Sequence, residues 1–447
     1  MPVTRSKTVT PAVSHSSRKR KAESISSDEI VVKHLKRRRV GEPTIASDQQ
    51  WLKKAMEEFR SLKYPKLTDR YYKVELAKRY LPLFKRPTGD DAYFFDDPDK
   101  ARRFLAESNV FDVPMFVRDG ANYSVVDPES TTRPIEQMFD ILLANPDETL
   151  EYDDEALPTA DQFVKNRMGD VAKRFKQNES WVKFPLNFPD IPTHTLDHAV
   201  PSFIRTPACT VLHDLFRAQL DVNEEHVCDC LEPNIPNCGH EITRNEFFKL
   251  TTAWVYWQGT TMISEPGTIT PPHWDKYGMP THISCLEGEI GFAWLVRPTH
   301  GEHIRWACDE KNPTGPWAFK VLRAGDSLCM PSGTVHFVFR RPAGKQTLGF
   351  AGHVIRKQDL AAWSKTLDLE LSIDAVDLNG ENEAERHSEK SPHQLIVPPL
   401  MRQVRKLIKA VRSQGLESKF GGKKRLTEAL KLVSKIEKKM VELDFRA

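Results

Sequence analysis

The chain has 447 residues and a mass of 51.2 kDa; 39% of the residues are hydrophobic, mean hydropathy is −0.52 and the formal net charge is +3. That length allows a large core with polar appendages, while the lack of any run of about 18 apolar residues excludes a membrane-spanning helix, and the polar start has no apolar stretch of a secretory signal. Charge is uneven: residues 1–49 hold eleven Lys/Arg against five Asp/Glu, residues 401–447 hold fourteen against five, and the body between carries −12.

Residues 1–49 are expected to form a disordered basic arm. Within it, Arg18-Lys-Arg-Lys21 and Lys36-Arg-Arg-Arg39 flank a polar, Ser-rich spacer, the pattern of a bipartite nuclear-import signal, so the expected location is the nucleus. From Trp51 to Phe84, apolar residues at helical spacing (Leu52, Met56, Phe59, Leu62) predict two or three helices. Residues 50–100 thus read as a helical region closed by a charged linker, Arg86–Lys100. Ala101–Glu107 and Thr132–Leu143 are expected as helices, Val113–Val117 as a strand and Asp147–Ala160 as an acidic loop. Thr206–Leu220 has the pattern of an amphipathic helix and Asn245–Thr252 of a shorter one, with strands expected to begin at Trp254-Val-Tyr256.

Glu265-Pro-Gly267 is a turn that launches the next strand. Thr281–Val296 is apolar and β-prone, broken by Gly288 and Gly291. Ser327–Met330 is bracketed by Ala324-Gly-Asp326 and Pro331-Ser-Gly333. Val335–Arg340 and Gln346–Ile355 follow, joined by Arg341-Pro-Ala-Gly344. Short strands between Gly/Pro turns at this spacing predict a small β-barrel or double-sheet jelly roll. Residues 357–372 read as a helix and Asp374–Val397 as a polar linker. Met401–Val411 and Leu426–Leu443 read as basic helices; the second carries an apolar stripe of Leu426, Leu430, Val433, Ile436, Met440 and Leu443.

Two of these strands carry metal-ligating residues. In Thr270-Pro-Pro-His-Trp-Asp275, His273 and Asp275 stand at i and i+2, so an extended strand points both to one face. Gly325-Asp-Ser-Leu-Cys-Met-Pro-Ser-Gly-Thr-Val-His336 leads a second strand that can bring His336 onto the same ion. Two imidazoles and one carboxylate form the facial triad of non-haem Fe(II) oxygenases, which leaves positions open for co-substrate and dioxygen. His282 and His353 are rival third ligands; the Gly-Asp-x4-Pro-Ser-Gly-x2-His context favours His336.

Residues of about 250–356 resemble the Jumonji C (JmjC) domain of the cupin-type 2-oxoglutarate oxygenases, in a fungal-looking variant. The likeness is carried by Ser264-Glu-Pro-Gly267, Thr270–Asp275, Gly288-Glu-Ile-Gly-Phe292, Gly325-Asp326 and Pro331-Ser-Gly-Thr-Val-His336. It implies an α+β fold: a double-stranded β-helix (jelly-roll, cupin) core with flanking helices, a catalytic unit over residues 101–356, and a C-terminal linker with basic helices over 357–447. It also implies Fe(II) held by His273, Asp275 and His336, with 2-oxoglutarate as co-substrate. The implied reaction is hydroxylation or demethylation of protein side chains, with histone methyl-lysine the first substrate to test. An acidic body suits such a basic partner, and the basic ends suit nucleic acid contact.

One position departs from the family. A Lys is expected on the strand after His-x-Asp to pair the distal carboxylate of 2-oxoglutarate, and here Ile290 stands there, beside Glu289. A buried dianion needs a cation or several donors. Lys345, nine residues after His336, is the leading candidate, with Arg297 and Arg340 behind it. Thr270 would bond the same carboxylate by family analogy, although simple alternation turns it away from His273 unless Pro271-Pro272 bends the strand. Tyr256 is a further co-substrate candidate. Without such a cation the chain reads instead as a catalytically inactive JmjC module that binds chromatin partners.

A second metal site is suggested by Cys228, Cys230, Cys238 and His240, which offer thiolates and imidazole for zinc at an irregular spacing. A disulfide is disfavoured, because seven cysteines without a secretory signal fit a reducing compartment.

Overall fold

Ten helices and two large, mostly antiparallel sheets make up the described residues of a computed structural model, a mixed α+β architecture. It describes residues 45–108, 110–144, 147, 149–158, 163–177, 182–192, 200–220, 227–228, 242–243, 253–254, 257, 259–309, 311–377 and 392–444. Met1–Ser47 and Asp48–Ala447 separate into two units. Both basic clusters of the N-terminal arm lie outside the described residues, and no described helix is long and apolar enough to cross a membrane.

Helices α1 (Ile45–Ser61) and α2 (Asp69–Tyr80) occupy the region expected to be helical. Thr68 caps α2 by accepting from the Tyr71 N–H. The expected linker is structured instead. After β1 (Phe84–Lys85), it carries β2 (Tyr93–Phe95) and the start of α3 (Pro98–Glu107), whose N-cap is Asp97 with Pro98 at the first helical position. Next come β3 (Met115–Val117) and α4 (Pro134–Leu142). The acidic stretch expected to be a loop is β4 (Thr149–Asp154), paired with β5 (Phe163–Arg167). Helix α5 (Met168–Lys176), β6 (Leu186–Pro192), α6 (Val211–Leu220) and the short pair β7 (Val227–Cys228) and β8 (Ile242–Thr243) follow. Ala253, Trp254 and Trp257 are helical where a strand start is expected, and the next described strand is β9 (Thr260–Ser264).

The remaining strands are β10 (Ile269–His273), β11 (Thr281–Glu287), β12 (Glu289–Leu295), β13 (Trp317–Arg323), β14 (Ser327–Met330), β15 (His336–Phe339) and β16 (Thr347–His353). Helix α7 (His300–Cys308), set by a Thr299/Glu302 capping box, separates β12 from β13. One sheet runs β1-β13-β12-β15-β10, and the other β2-β3-β14-β11-β16-β9-β6-β4-β5. Inward residues of both sheets, among them Ile283, Leu328 and Met330 from one and Ile290, Phe292 and Trp294 from the other, share one buried cluster, so the sheets pack face to face. Helices α1 and α2 cover the outer face of the five-stranded sheet through Trp51, Phe59 and Tyr80 against Trp317, Phe337 and Phe339. Helices α4 and α5 cover part of the other sheet's outer face.

Helices α8 (Leu360–Asp377), α9 (Pro392–Ser413) and α10 (Lys423–Asp444) form a C-terminal bundle with its own apolar cluster. The expected linker is shorter than its composition suggested, because α9 runs through Pro398 and Pro399. Buried Ile396, Val397, Leu400 and Met401 supply tertiary packing that overrides the helix-breaking cost of the prolines.

A buried charge cluster ties α2 to the strands. Arg70 pairs with Glu155 at 2.7 Å, while Lys73 pairs with Asp69 at 2.9 Å and with Asp153. Arg70 also donates to the Gly267 carbonyl at 2.7 Å, bracing the turn that launches β10. With three carboxylates against two cations, the cluster holds Asp153 raised to about 6; burial is the largest cause, opposed by Lys73 and assisted by Glu155 and Asp69.

Candidate metal centre

Strand β10 is an edge strand, where Pro271 and Pro272 remove no ladder hydrogen bond that a neighbour needs. Its partner is β15. Thr270 stands opposite Val338 and His273 opposite His336, so three steps on β10 match two on β15. That one-residue bulge reverses the alternation and turns Thr270 and His273 to the same face. The His273 and His336 rings lie 4.2 Å apart centre to centre. Asp275 follows just past the strand end, and ligand atoms of His273, Asp275 and His336 all lie within 4.8 Å of one another. Among the described residues, no other group of three such side chains meets that spacing.

The imidazoles are oriented by their own turns. Nδ1 of His273 lies 2.8 Å from the Pro271 carbonyl, and Nδ1 of His336 lies 2.9 Å from the Thr334 carbonyl. Each Nδ1–H therefore donates to a backbone oxygen and leaves Nε2 with its lone pair for a metal. Phe292 stacks on the His336 ring at 5.4 Å. Asp275 accepts from Thr281 Oγ1 at 2.6 Å, and that hydroxyl lies 2.8 Å from His353 Nδ1.

Metal binding needs an ionised carboxylate and neutral imidazole, and the surroundings of Asp275 and His336 favour those forms. Burial works to raise the Asp275 carboxyl, but His336, His353, His273 and the Thr281 hydroxyl overcome it and hold it below the usual range. His336 is pulled down to about 4, chiefly by burial and then by His273. Asp190, on β6, accepts from Thr260 Oγ1 at 3.3 Å. Its carboxylate is reached by solvent yet crowded by protein, and that crowding raises its pKa against the pull of nearby His353.

The structure reassigns several expected residues. Lys345 lies exposed on the turn between β15 and β16 and stays in water rather than entering the interior. The cation that does is Arg340. It continues the inward alternation of His336 and Val338, is 3% exposed, and donates from Nε to Thr347 Oγ1 at 3.2 Å. Burial pulls it down to about 10, and among the described residues no carboxylate pairs with it. Arg297 is engaged at the surface by the Asp90 carbonyl and by Asp112 at 2.7 Å. Ile290 faces the same interior, 1% exposed.

Of the rival ligands, His353 supports Asp275 through Thr281, while His282 is a buried histidine on the opposite face of β11. Burial lowers His282 to about 3. Tyr256, Cys230, Cys238 and His240 lie outside the described residues, and Cys228 is described only as part of β7. Sequence reasoning missed Thr281 and Asp190. Neither carries a local signal, because each reaches the site only through strand pairing. No protein-family model matches the chain, and no curated protein matches it either.

Proposed function

We propose that this chain is a non-haem Fe(II), 2-oxoglutarate-dependent dioxygenase of the JmjC type, with a cupin-like double-stranded β-helix core. One observation carries the reading: two imidazoles and one carboxylate converge within 4.8 Å, with a buried guanidinium, unpaired by any carboxylate among the described residues, on the same inward face. Their donor set is that of the 2-His-1-carboxylate class. His273 and His336 would hold iron through Nε2, and Asp275 through the oxygen that Thr281 leaves free. Arg340, hydrogen-bonded to Thr347, would pair the distal carboxylate of 2-oxoglutarate, with Thr270 on the same face opposite Val338. When bound, the metal and co-substrate supply oxidative decarboxylation to succinate coupled to hydroxylation of a C–H bond or removal of an N-methyl group. The chain's own share is to orient both imidazoles, keep Asp275 ionised, and exclude water with Phe292 and Trp294.

The substrate is proposed as a protein side chain, with histone methyl-lysine to be tested first, and the location as the nucleus. Exposed lysines on α9 and α10, such as Lys409, Lys424 and Lys431, would contact nucleic acid. Apolar Ile290 at the expected Lys position favours a second reading, a non-catalytic chromatin-binding module. Anaerobic titration with Fe(II) and 2-oxoglutarate, then a succinate assay in air, separates the two. Succinate formed by the wild type and lost in His273→Ala supports the enzyme; absence of 2-oxoglutarate binding leaves only the module.

A further inference from the structure

We infer that helix α8 is a brace for the metal centre: Glu370 and Trp363 hold the Tyr277 peptide in a left-handed conformation, and that conformation sets where Asp275 points. The inference rests on the reading of His273, Asp275 and His336 as a metal site, and it adds positioning residues that lie far from those ligands in sequence.

Tyr277 follows Asp275 by two residues and has φ 61° and ψ 22°. An aromatic residue is strained there, so the surroundings must hold it. Both backbone polar groups of Tyr277 are held by one helix. The Tyr277 N–H donates to Glu370 Oε1 at 2.9 Å, and the Tyr277 carbonyl accepts from Trp363 Nε1–H at 2.9 Å. Trp363 and Glu370 are seven residues apart, which places them on one face of α8, and both are buried.

The same face also meets the other ligand strand. A Cβ added at Gly278 would lie 3.0 Å from the Thr366 methyl, and one added at Gly333 would lie 2.8 Å from that same methyl. Both glycines have positive φ. The Ser332 hydroxyl donates to the Gly278 carbonyl. The turn after Asp275 and the turn before His336 therefore close on each other and on Thr366 of α8.

Glu370 reaches both the bundle and the Tyr277 turn through one oxygen. Its Oε2 is buried with no hydrogen-bond partner among the described residues, a state that costs stability. Its Oε1 accepts from Tyr277 and lies 3.0 Å from His393 Nε2, which ties α9 to the same point. A carboxylate left half unsatisfied, with its one engaged oxygen on a strained peptide beside a metal ligand, marks a positioning residue.

The test uses the full chain with Glu370→Met, Glu370→Gln and Trp363→Phe. Glu370→Met removes the acceptor at similar volume, Glu370→Gln keeps an acceptor oxygen, and Trp363→Phe removes the donor while keeping a ring. Two readouts are taken beside the melting temperature: hydrogen exchange over the peptide spanning residues 270–285 in metal-free protein, and Co(II) affinity with its d–d spectrum. Glu370→Met and Trp363→Phe are expected to speed exchange at Lys276–Gly278 and weaken Co(II) binding about tenfold, as loss of a supporting partner does. Glu370→Gln is expected to recover most of both. Unchanged exchange and unchanged Co(II) affinity in the Met and Phe variants would overturn the brace. A wild type that binds no Co(II), yet whose variants exchange faster, would sink the metal reading and leave the clamp on Tyr277 standing.

Discussion

Replacing Arg340 by methionine should move stability and co-substrate binding in opposite directions. The guanidinium is 3% exposed and burial holds its pKa near 10, so keeping it charged inside the protein costs about 3 kcal/mol at roughly 1.4 kcal/mol per pKa unit. Among the described residues only the Thr347 hydroxyl meets its Nε, and no carboxylate offsets that cost. An apolar side chain of similar length removes the unpaired charge, so the ligand-free protein should gain about 1–3 kcal/mol. The same change would strand the distal carboxylate of 2-oxoglutarate without a partner, which costs about 2–5 kcal/mol, or roughly 30- to 5,000-fold in affinity. Urea unfolding of metal-free protein reads the first effect; anaerobic calorimetry of 2-oxoglutarate with Mn(II)-loaded protein reads the second. A variant that loses stability yet binds 2-oxoglutarate within about threefold of wild type, under 1 kcal/mol, would show Arg340 to be a structural cation and refute the assignment.

Other changes test the remaining parts. His336→Ala removes one of the three proposed ligands and should leave the purified protein without stoichiometric iron by elemental analysis, whereas His282→Ala should retain it. Lys345→Ala should leave the 2-oxoglutarate affinity unchanged in the same calorimetry, because the side chain is exposed on a turn. Asp153 is raised to about 6 when folded, so its stabilising contribution is complete below the unfolded carboxylate value and is lost as pH rises through about 6. The stability of Asp153→Asn relative to wild type should grow from about zero near pH 4 to about 1–3 kcal/mol above pH 6, read as the difference in urea midpoints across pH. A difference between Asp153→Asn and wild type that stays constant across this window would contradict the buried-cluster account, whatever the buried histidines do to the shared trend.

Local chemistry made much of the strand region legible. Ser327–Met330 is β14 as expected, because Gly325 and Gly333 punctuate it on both sides. The apolar stripe of residues 426–443 lies on α10, whose Leu426, Val433, Ile436 and Met440 are buried. Other segments misled. The acidic residues of β4 suggest a solvated loop, but Asp153 is matched by Lys73, 80 residues earlier. Pro398 and Pro399 suggest a linker, but buried neighbours on both sides keep the helix intact. Strand β13 and helix α7 carried no reading at all, although Thr299 and Glu302 are a capping pair visible in the sequence.

The sequence alone determined which side chains are available: a His-x-Asp that begins on one strand and ends just past it, a histidine leading another, and glycines and prolines that break the chain between them. These follow from residue chemistry at short range, where turn and strand preferences act. Only the tertiary structure decided that Arg340 points inward while Lys345 stays in water, and that Thr270 shares a face with His273. Inward and outward in a sheet are set by register against a partner strand, and a single bulged residue inverts them.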